Sequence, residues 1–457
     1  MEANWLNANP KDPPVATGGV GDYRRGLSVL KRSPQPNKQG LRRCWVLWVA
    51  VTAAAIWGAA EISFDQWQRY QDNPTVITLE KGFRTWQYKL PAITNCDANR
   101  VSQAKLPKVI SSRWGVKPGE PRYSYYESFV KTVANSDLLH LGGYQEFSAD
   151  DTLNVNLYDL VVEVMPEFQT KATWSHVQPP RWFPVLTEAG VCYVTNSLAI
   201  ADVAITNLSA NDTSSFPVSC QASSQSCSVM LEVIANSTFY VHSPYDVADI
   251  TGLKSQVFMS LNRVTELSVM ETGCGEGVRE LEPRRRGCLF VDEPVEEARQ
   301  LGMRVYSTNT CRLTCRARLA IKLCGCKPFY YIYEEGPTCS PAGMHCLSRH
   351  TQLLITNGGV KCVCSAQCIE ATISELTTVD EMWPMGPFAS RGAVRFTVQA
   401  PRTRYTREIV FSFQDLVVSF GGAAGLFLGA SFISFVEVLY FLAERLLGCG
   451  ATNNPVK

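Results

Sequence analysis

"VYSTNTCRLTCRARLAIKLCGCKPFYY", Val305–Tyr331, carries four cysteines, and "VKCVCSAQC", Val360–Cys368, adds three more. Apolar residues recur through the first stretch at helical spacing. Cys311 and Cys315 therefore face one way on a helix, with about 6 Å of rise between them. Read as a strand, the second stretch puts Cys362 and Cys364 on one face, about 6.6 Å apart. Two bridges joining such a helix to such a strand distort disulfide geometry little. Ten cysteines fall between Cys288 and Cys368. The economical pairing nests them: Cys288–Cys368, Cys311–Cys364, Cys315–Cys362, Cys324–Cys346 and Cys326–Cys339. Zinc is the competing reading of closely spaced cysteines. Against it, His140, His176, His242, His345 and His350 are scattered and supply no ordered ligand set. His242 in "VHSP" reads as a satisfied strand residue.

Outward from this core, seventeen cysteines are many for a cytosolic chain, and all but Cys44 and Cys449 lie between two apolar segments. The first, "CWVLWVAVTAAAIWGAA" (Cys44–Ala60), is at the short end for a membrane helix. It begins too far into the chain, and lacks the cleavage site, for a signal peptide. The second runs from about Val417 to Leu442. As one straight helix it would measure about 40 Å against ~30 Å of hydrocarbon, so it must tilt, protrude or break. Arg24, Arg25, Lys31, Arg32, Lys38, Arg42 and Arg43 precede the first span and place the N-terminus in the cytoplasm. Two spans return the C-terminus there. The cysteine-rich middle then lies outside, where the sequons at Asn207, Asn211 and Asn236 are glycosylation acceptors.

The expected organisation is a cytoplasmic tail over residues 1–43, a membrane helix over 44–62, an extracellular Cys-rich domain over 63–408, a second membrane segment over 409–447 and a cytoplasmic tail over 448–457. The middle domain is α+β. "PTVITLEKGFRTWQYKLPAITNC", "GVCYVTNSLAIADVAITNLS" and "SVMLEVIANSTFYVHS" read as strands. "YYESFVKTVANSDLLHLG" reads as a helix, and the stretch from "PVEEARQ" to "CGCKPFYY" begins helical. "RGAVRFTVQAPRTRYTREIVFSF" is a strand-like run leading into the second span. A net charge of +1 gives no footprint for nucleic acid, and no nucleophile motif, metal cluster or phosphate loop points to an enzyme or a cofactor.

Within the second span, "GGAAGLFLGAS" (Gly421–Ser431) places Gly421, Gly425 and Gly429 four apart. Taken alone, that is a small-residue face for helix packing in lipid. Glu437, further on, is expensive in lipid and belongs in a bundle interior or against water. A helix too long for the bilayer breaks most cheaply at a glycine, here Gly429.

Together these motifs resemble the degenerin/epithelial sodium channel family. The two cysteine stretches are similar to its thumb, "LPAITNC", "TEAGVCYVTNS" and "FYVHSPYD" to its palm strands, and "GGAAGLFLGAS" to its second membrane segment. The resemblance covers roughly Leu41–Leu447, and the overall length looks most like the arthropod pickpocket branch.

It implies a trimeric, sodium-selective cation channel of the plasma membrane, built as a homotrimer or with related subunits, with both termini cytoplasmic. It implies the ladder above and Cys96–Cys192. Cys220 and Cys227 are close enough to pair, which leaves Cys274 over. Three copies of the second span meet on an axis. At Gly429, Ala430 and Ser431 freed carbonyls and the Ser431 hydroxyl replace part of a sodium ion's hydration shell. Asp415 at the outer mouth and Glu437 below concentrate cations. Gly425 lies where amiloride blocks, and Val418 at the position whose bulk is associated with open channels. The family's His-Gly gating pair is departed from: Gly26 matches, but Arg25 replaces the His. The competing readings are a non-conducting or regulatory subunit needing a partner chain, a two-span receptor or ectoenzyme, and an ATP-gated channel. The nested ladder and the "GAS" run argue against the last.

Overall fold

The computed structural model describes residues 38–447, apart from 73, 83–84, 176, 210–211, 213, 223–226, 294–302, 357–361 and 387–388. Residues 1–37 of the proposed N-terminal tail, with Arg25 and Gly26, and the proposed C-terminal tail, with Cys449, lie outside the described residues, as do Asn211 and the helix expected at "PVEEARQ"; residues 38–43 of the proposed tail are helical instead.

Helix α1 (Lys38–Asp72) takes in the first apolar segment and continues ten residues past residue 62, where the sequence reading ended it. Residues 59–72 contain neither Gly nor Pro to stop it; Pro74 does, because the residue before a proline disfavours helical backbone. From Trp45 this helix is long and apolar enough to cross a membrane. The chain divides into two compact units, residues 64–419 and residues 1–63 with 420–457.

The larger unit begins with β1 (Thr75–Glu80), β2 (Gln87–Lys89) and β3 (Ala92–Asp97), then α2 (Leu106–Trp114), α3 (Tyr123–Asn135) and α4 (Leu157–Val164). Strands β4 (Lys171–Trp174), β5 (Trp182–Thr187) and β6 (Gly190–Thr195) lead to the short α5 (Ile200–Val203). Then come β7 (Ser219–Gln221), β8 (Cys227–Val233), β9 (Ser237–His242), β10 (Leu253–Val257) and the long β11 (Leu261–Cys274). After α6 (Pro283–Arg286), α7 (Thr308–Cys324), α8 (Pro341–Ser348) and α9 (Thr351–Thr356), the strands β12 (Glu370–Met382), β13 (Gly392–Gln399) and β14 (Arg404–Ile409) close the unit. The chain ends in α10 (Phe413–Leu428) and α11 (Phe432–Leu447).

The fold is α+β. A seven-stranded sheet runs β1-β14-β11-β13-β8-β4, with β12 on the other edge of β11. A five-stranded sheet runs β10-β9-β3-β6-β5. Their facing residues alternate along the chain, as a half-buried strand requires: Cys227, Val229, Leu231 and Val233 on β8, and Ser237, Phe239 and Val241 on β9, are all buried. The Phe239 and Phe396 rings meet across this core at 6.4 Å. A second core gathers the buried stripe of α3 (Tyr126, Phe129, Val130, Val133) with Leu313, Ala317 and Ala320 of α7.

Two readings need correction. "GVCYVTNSLAIADVAITNLS" holds one strand, not an unbroken strand region. Asn196 takes a left-handed φ of 60° and donates to the Leu90 and Pro91 carbonyls, so the chain turns and Ile200–Val203 coils into α5. Cys362 and Cys364 are not on a strand. Their segment is irregular, with Val363 pointing outward at 87 % exposure. The second apolar segment forms two helices, α10 and α11, with Gly429 between them, and it qualifies as a span only when the bent pair is taken together.

Candidate functional site

The cysteines are set by α7. Ser307 and Thr310 close a reciprocal capping box at its start, and Gly325, at φ 72°, ends it in the left-handed conformation that favours glycine. Cys311 and Cys315 leave this helix one turn apart and bridge to Cys364 and Cys362. Cys324–Cys346 ties its last turn to α8, Cys326–Cys339 closes the following loop, and Cys288–Cys368 anchors its approach. Cys96–Cys192 joins β3 to β6, and Cys220–Cys227 joins β7 to β8. Cys274 is free. Asn207 and Asn236 are exposed.

One buried cluster escaped the sequence reading. Glu188, in the turn between β5 and β6, is 2 % exposed. Its carboxylate pairs with the Arg316 guanidinium of α7 and accepts the Tyr331 hydroxyl at 2.6 Å. Asp249 lies 3.4 Å from the same guanidinium. Two carboxyls thus share one cation away from water. Burial pushes Glu188 up to about 7, with Asp249 adding to the rise and Arg316 and Tyr331 opposing it. Arg316 stays charged, because Glu188 offsets its own burial. A signal was present: Arg316 falls on the same face of α7 as Leu313, Ala317 and Ala320, so a helical wheel buries it.

His242 is held on both sides of its ring. Nδ1 lies 3.0 Å from the Ser243 carbonyl and Nε2 2.8 Å from the Thr94 hydroxyl. Burial lowers it to about 4, so it is neutral. It is a strand residue with its bonds made.

Near the C-terminus, Asp415 sits in the first turn of α10. Its Oδ2 accepts from the Ser412 N–H at 2.8 Å and the Ser412 hydroxyl at 2.7 Å, while the Asp415 N–H reaches back to the Ser412 oxygen. Asp415 therefore caps a helix, a job the sequence reading did not give it. Val418 is exposed. A Cβ at Gly421 would meet nothing within 4 Å, and one at Gly425 only the Ala430 carbonyl at 3.8 Å. Among the described residues the glycine face has no close neighbour inside this chain. The close approach occurs elsewhere: a Cβ at Gly58 would lie 2.8 Å from Phe427.

α10 stops at Gly429, whose φ of +63° is a left-handed cap and whose N–H donates to the Gly425 carbonyl at 3.1 Å. Ala430 donates to Ala424 at 3.3 Å. The N–H groups that would continue α10 onto the Leu426 and Phe427 carbonyls go elsewhere, that of Ala430 to Ala424 and that of Ser431 to the Ser434 hydroxyl at 3.4 Å. Ser431 opens α11 as its cap: its hydroxyl accepts the Ser434 N–H at 3.3 Å and lies 3.3 Å from the Ser434 hydroxyl. Sequence reading missed Ser434, although S-x-x-S at a helix start is a recognisable cap. Glu437 is exposed.

Comparison with known proteins follows the same lines. A family model described as "Amiloride-sensitive sodium channel" matches residues 26–441. The "Sodium channel protein Nach" of Drosophila virilis is 26 % identical over 49 % of this chain and 59 % of its own length. "Pickpocket protein 28" of Drosophila melanogaster is 27 % identical over 37 % of this chain and 31 % of its own length. "Acid-sensing ion channel 4" of Rattus norvegicus is 20 % identical over 92 % of this chain and 77 % of its own length. The matches to the two insect proteins thus span less than two thirds of those relatives.

Proposed function

Because this chain belongs to the amiloride-sensitive sodium channel family, a family of ion channels rather than enzymes, we propose that it is a subunit of a trimeric sodium-selective channel of the plasma membrane. Residues 63–408 lie outside, the segments 44–62 and 409–447 cross the bilayer, and the tails 1–43 and 448–457 face the cytoplasm. Asn207, Asn211 and Asn236 carry sugar. The observation that carries the reading is the interruption between α10 and α11. The N–H groups of Ala430 and Ser431 turn away from the Leu426 and Phe427 carbonyls, and a glycine face beside them is open to a neighbour. Three such segments on an axis give a ring of oxygens that can stand in for water around one small cation.

The caps refine the assignment. The Ser431 hydroxyl is engaged with Ser434, so the carbonyls of Gly429 and Ala430 take the larger share of ion dehydration, and Ser431 holds the break in place. Glu437 below raises the local cation concentration. Amiloride lodges at Gly425, and bulk at Val418 holds the pore open. Arg25, standing where relatives carry His beside Gly26, alters gating.

The test is whole-cell current from the expressed full chain, with external sodium exchanged for potassium. Ser431→Ala is expected to shift the reversal potential toward potassium while leaving surface abundance intact. A homomeric channel whose reversal potential ignores substitutions at both Gly429 and Ser431 removes the filter from this segment. The glycine face then reverts to a packing face.

A further inference from the structure

Cys274 closes the long strand β11. The β11–β12 register pairs Thr272 with Glu370, and carried two residues on it sets Cys274 opposite Cys368. The side chain follows the register: the Cys274 thiol donates to the Cys368 carbonyl at 3.2 Å. Cys368 is already bridged to Cys288. The three sulfurs all lie within 4.8 Å of one another, with Cys288 and Cys368 fully buried and Cys274 partly so. A free thiol against a disulfide, on a strand position directly across from one of its halves, is the arrangement that exchange requires.

We propose that Cys274 is a resident exchange nucleophile that moves the Cys368 bridge from Cys288 to itself. The Cys274 sulfur, as thiolate, bonds to the Cys368 sulfur. The Cys288–Cys368 bond breaks, its electron pair leaves with Cys288, and Cys288 takes up the proton that Cys274 gave to solvent. One bridge and one thiol exist before and after, so nothing is oxidised or reduced. The surroundings suit a departing thiolate. Arg407 is the register partner of Cys274 on β14 and donates to the Arg286 carbonyl at 2.9 Å, while Arg286 donates to the Cys288 carbonyl at 2.9 Å. Burial raises the Cys274 thiol, and Arg407 and Arg286 oppose that rise; only the thiolate attacks, so the exchange is slow at rest and quickens as pH rises. The base that takes the Cys274 proton has a way in. Cys274 lines a cleft of about 360 Å³ with Lys89, Glu271 and Arg404.

The exchange trades one tether for another. Cys288 anchors the chain that leads toward α7. Cys274–Cys368 instead ties the end of β11 to the turn that leads into β12, strands already paired along their length. The approach to α7 loses its covalent tether and keeps only backbone bonds to that segment, from the Leu289 N–H to the Ala366 carbonyl and from the Cys368 N–H to the Leu289 carbonyl, each 2.9 Å.

The test is thiol trapping and peptide mapping on the full chain in membranes, before and after incubation at alkaline pH without added thiol. The expected result is a fall in label at Cys274 matched by a rise at Cys288, with a Cys274–Cys368 peptide appearing; Cys274→Ser abolishes both changes. In Cys288→Ser the Cys274–Cys368 bridge is the sole state of these residues, and neither takes label. Label confined to Cys274 in the native chain under all conditions overturns the proposal, and so does label on both Cys274 and Cys368 in Cys288→Ser. Cys274 found bridged to a cysteine outside this trio also overturns it. If Cys288→Ser does not accumulate, trapping on the native chain decides alone.

Discussion

Replacing Arg316 with Met leaves Glu188 and Asp249 facing each other in the core with no cation between them. Removing one member of a buried ion pair costs about 3–5 kcal/mol, most of it the penalty of the stranded charge. A large domain loses about 2 °C of melting temperature per kcal/mol, so the expected fall is about 6–10 °C. The assay is thermal melting of the detergent-solubilised chain, followed by fluorescence-detected size exclusion. Two features separate this from loss of packing. Glu188→Gln in the Arg316→Met background removes the stranded charge and should recover most of the loss, a coupling of order 2 kcal/mol. The loss should also shrink on acidification, because Glu188 is then protonated. The sign in the native chain follows the same logic. Burial raises Glu188 from 4.5 to about 7. Its stabilising contribution is fully present below the unfolded value and is lost as pH rises through about 7. Glu188→Gln alone should therefore be well tolerated and flatten that window. An Arg316→Met chain that melts like the native one at pH 8, or that gains nothing from Glu188→Gln, would refute the reasoning.

Replacing Cys311 and Cys364 together should reduce surface abundance no more than replacing Cys311 alone, since one bridge is lost either way; a far worse double variant breaks the pairing. Gly58→Leu should lower abundance by clashing with Phe427, and Phe427→Ala should restore it, both read by surface biotinylation. Gly425→Cys should weaken amiloride block of the expressed channel; unchanged sensitivity places the blocker elsewhere. Removing N-linked glycans should increase gel mobility, and Asn207→Gln with Asn236→Gln should each remove part of that shift.

The parts legible in the sequence were those where spacing alone constrains geometry. Four-residue spacing on a helix leaves Cys311 and Cys315 few partners, and the bridges join them to Cys364 and Cys362. The stop at Gly429 was legible because a segment too long for the bilayer breaks most cheaply at a glycine, and Gly429 is the last of those in "GGAAGLFLGAS". What was not legible depends on distant chain. Glu188 in "TEAG" looks like a solvated turn until α7 arrives with Arg316. Asp415 and Ser431 were assigned to the ion because a charge and a hydroxyl near a pore invite it; their local bonds show that each first satisfies a helix end. Asn196 looks like an ordinary strand terminus, and only the Leu90 and Pro91 carbonyls explain its left-handed turn.

The pairing of β1 with β14 runs Thr75 to Ile409 through Glu80 to Arg404. The larger unit therefore begins and ends on two hydrogen-bonded neighbours, some hundreds of residues apart in sequence but one strand spacing apart in space. In polymer terms the two strands clasp everything between them into one closed loop. Lengthening the chain within that loop leaves the β1–β14 register where it is. The thermodynamic toll of such growth is small, since doubling the length of a closed loop costs only about 0.6 kcal/mol. Length can therefore be varied within the clasp at little cost to stability.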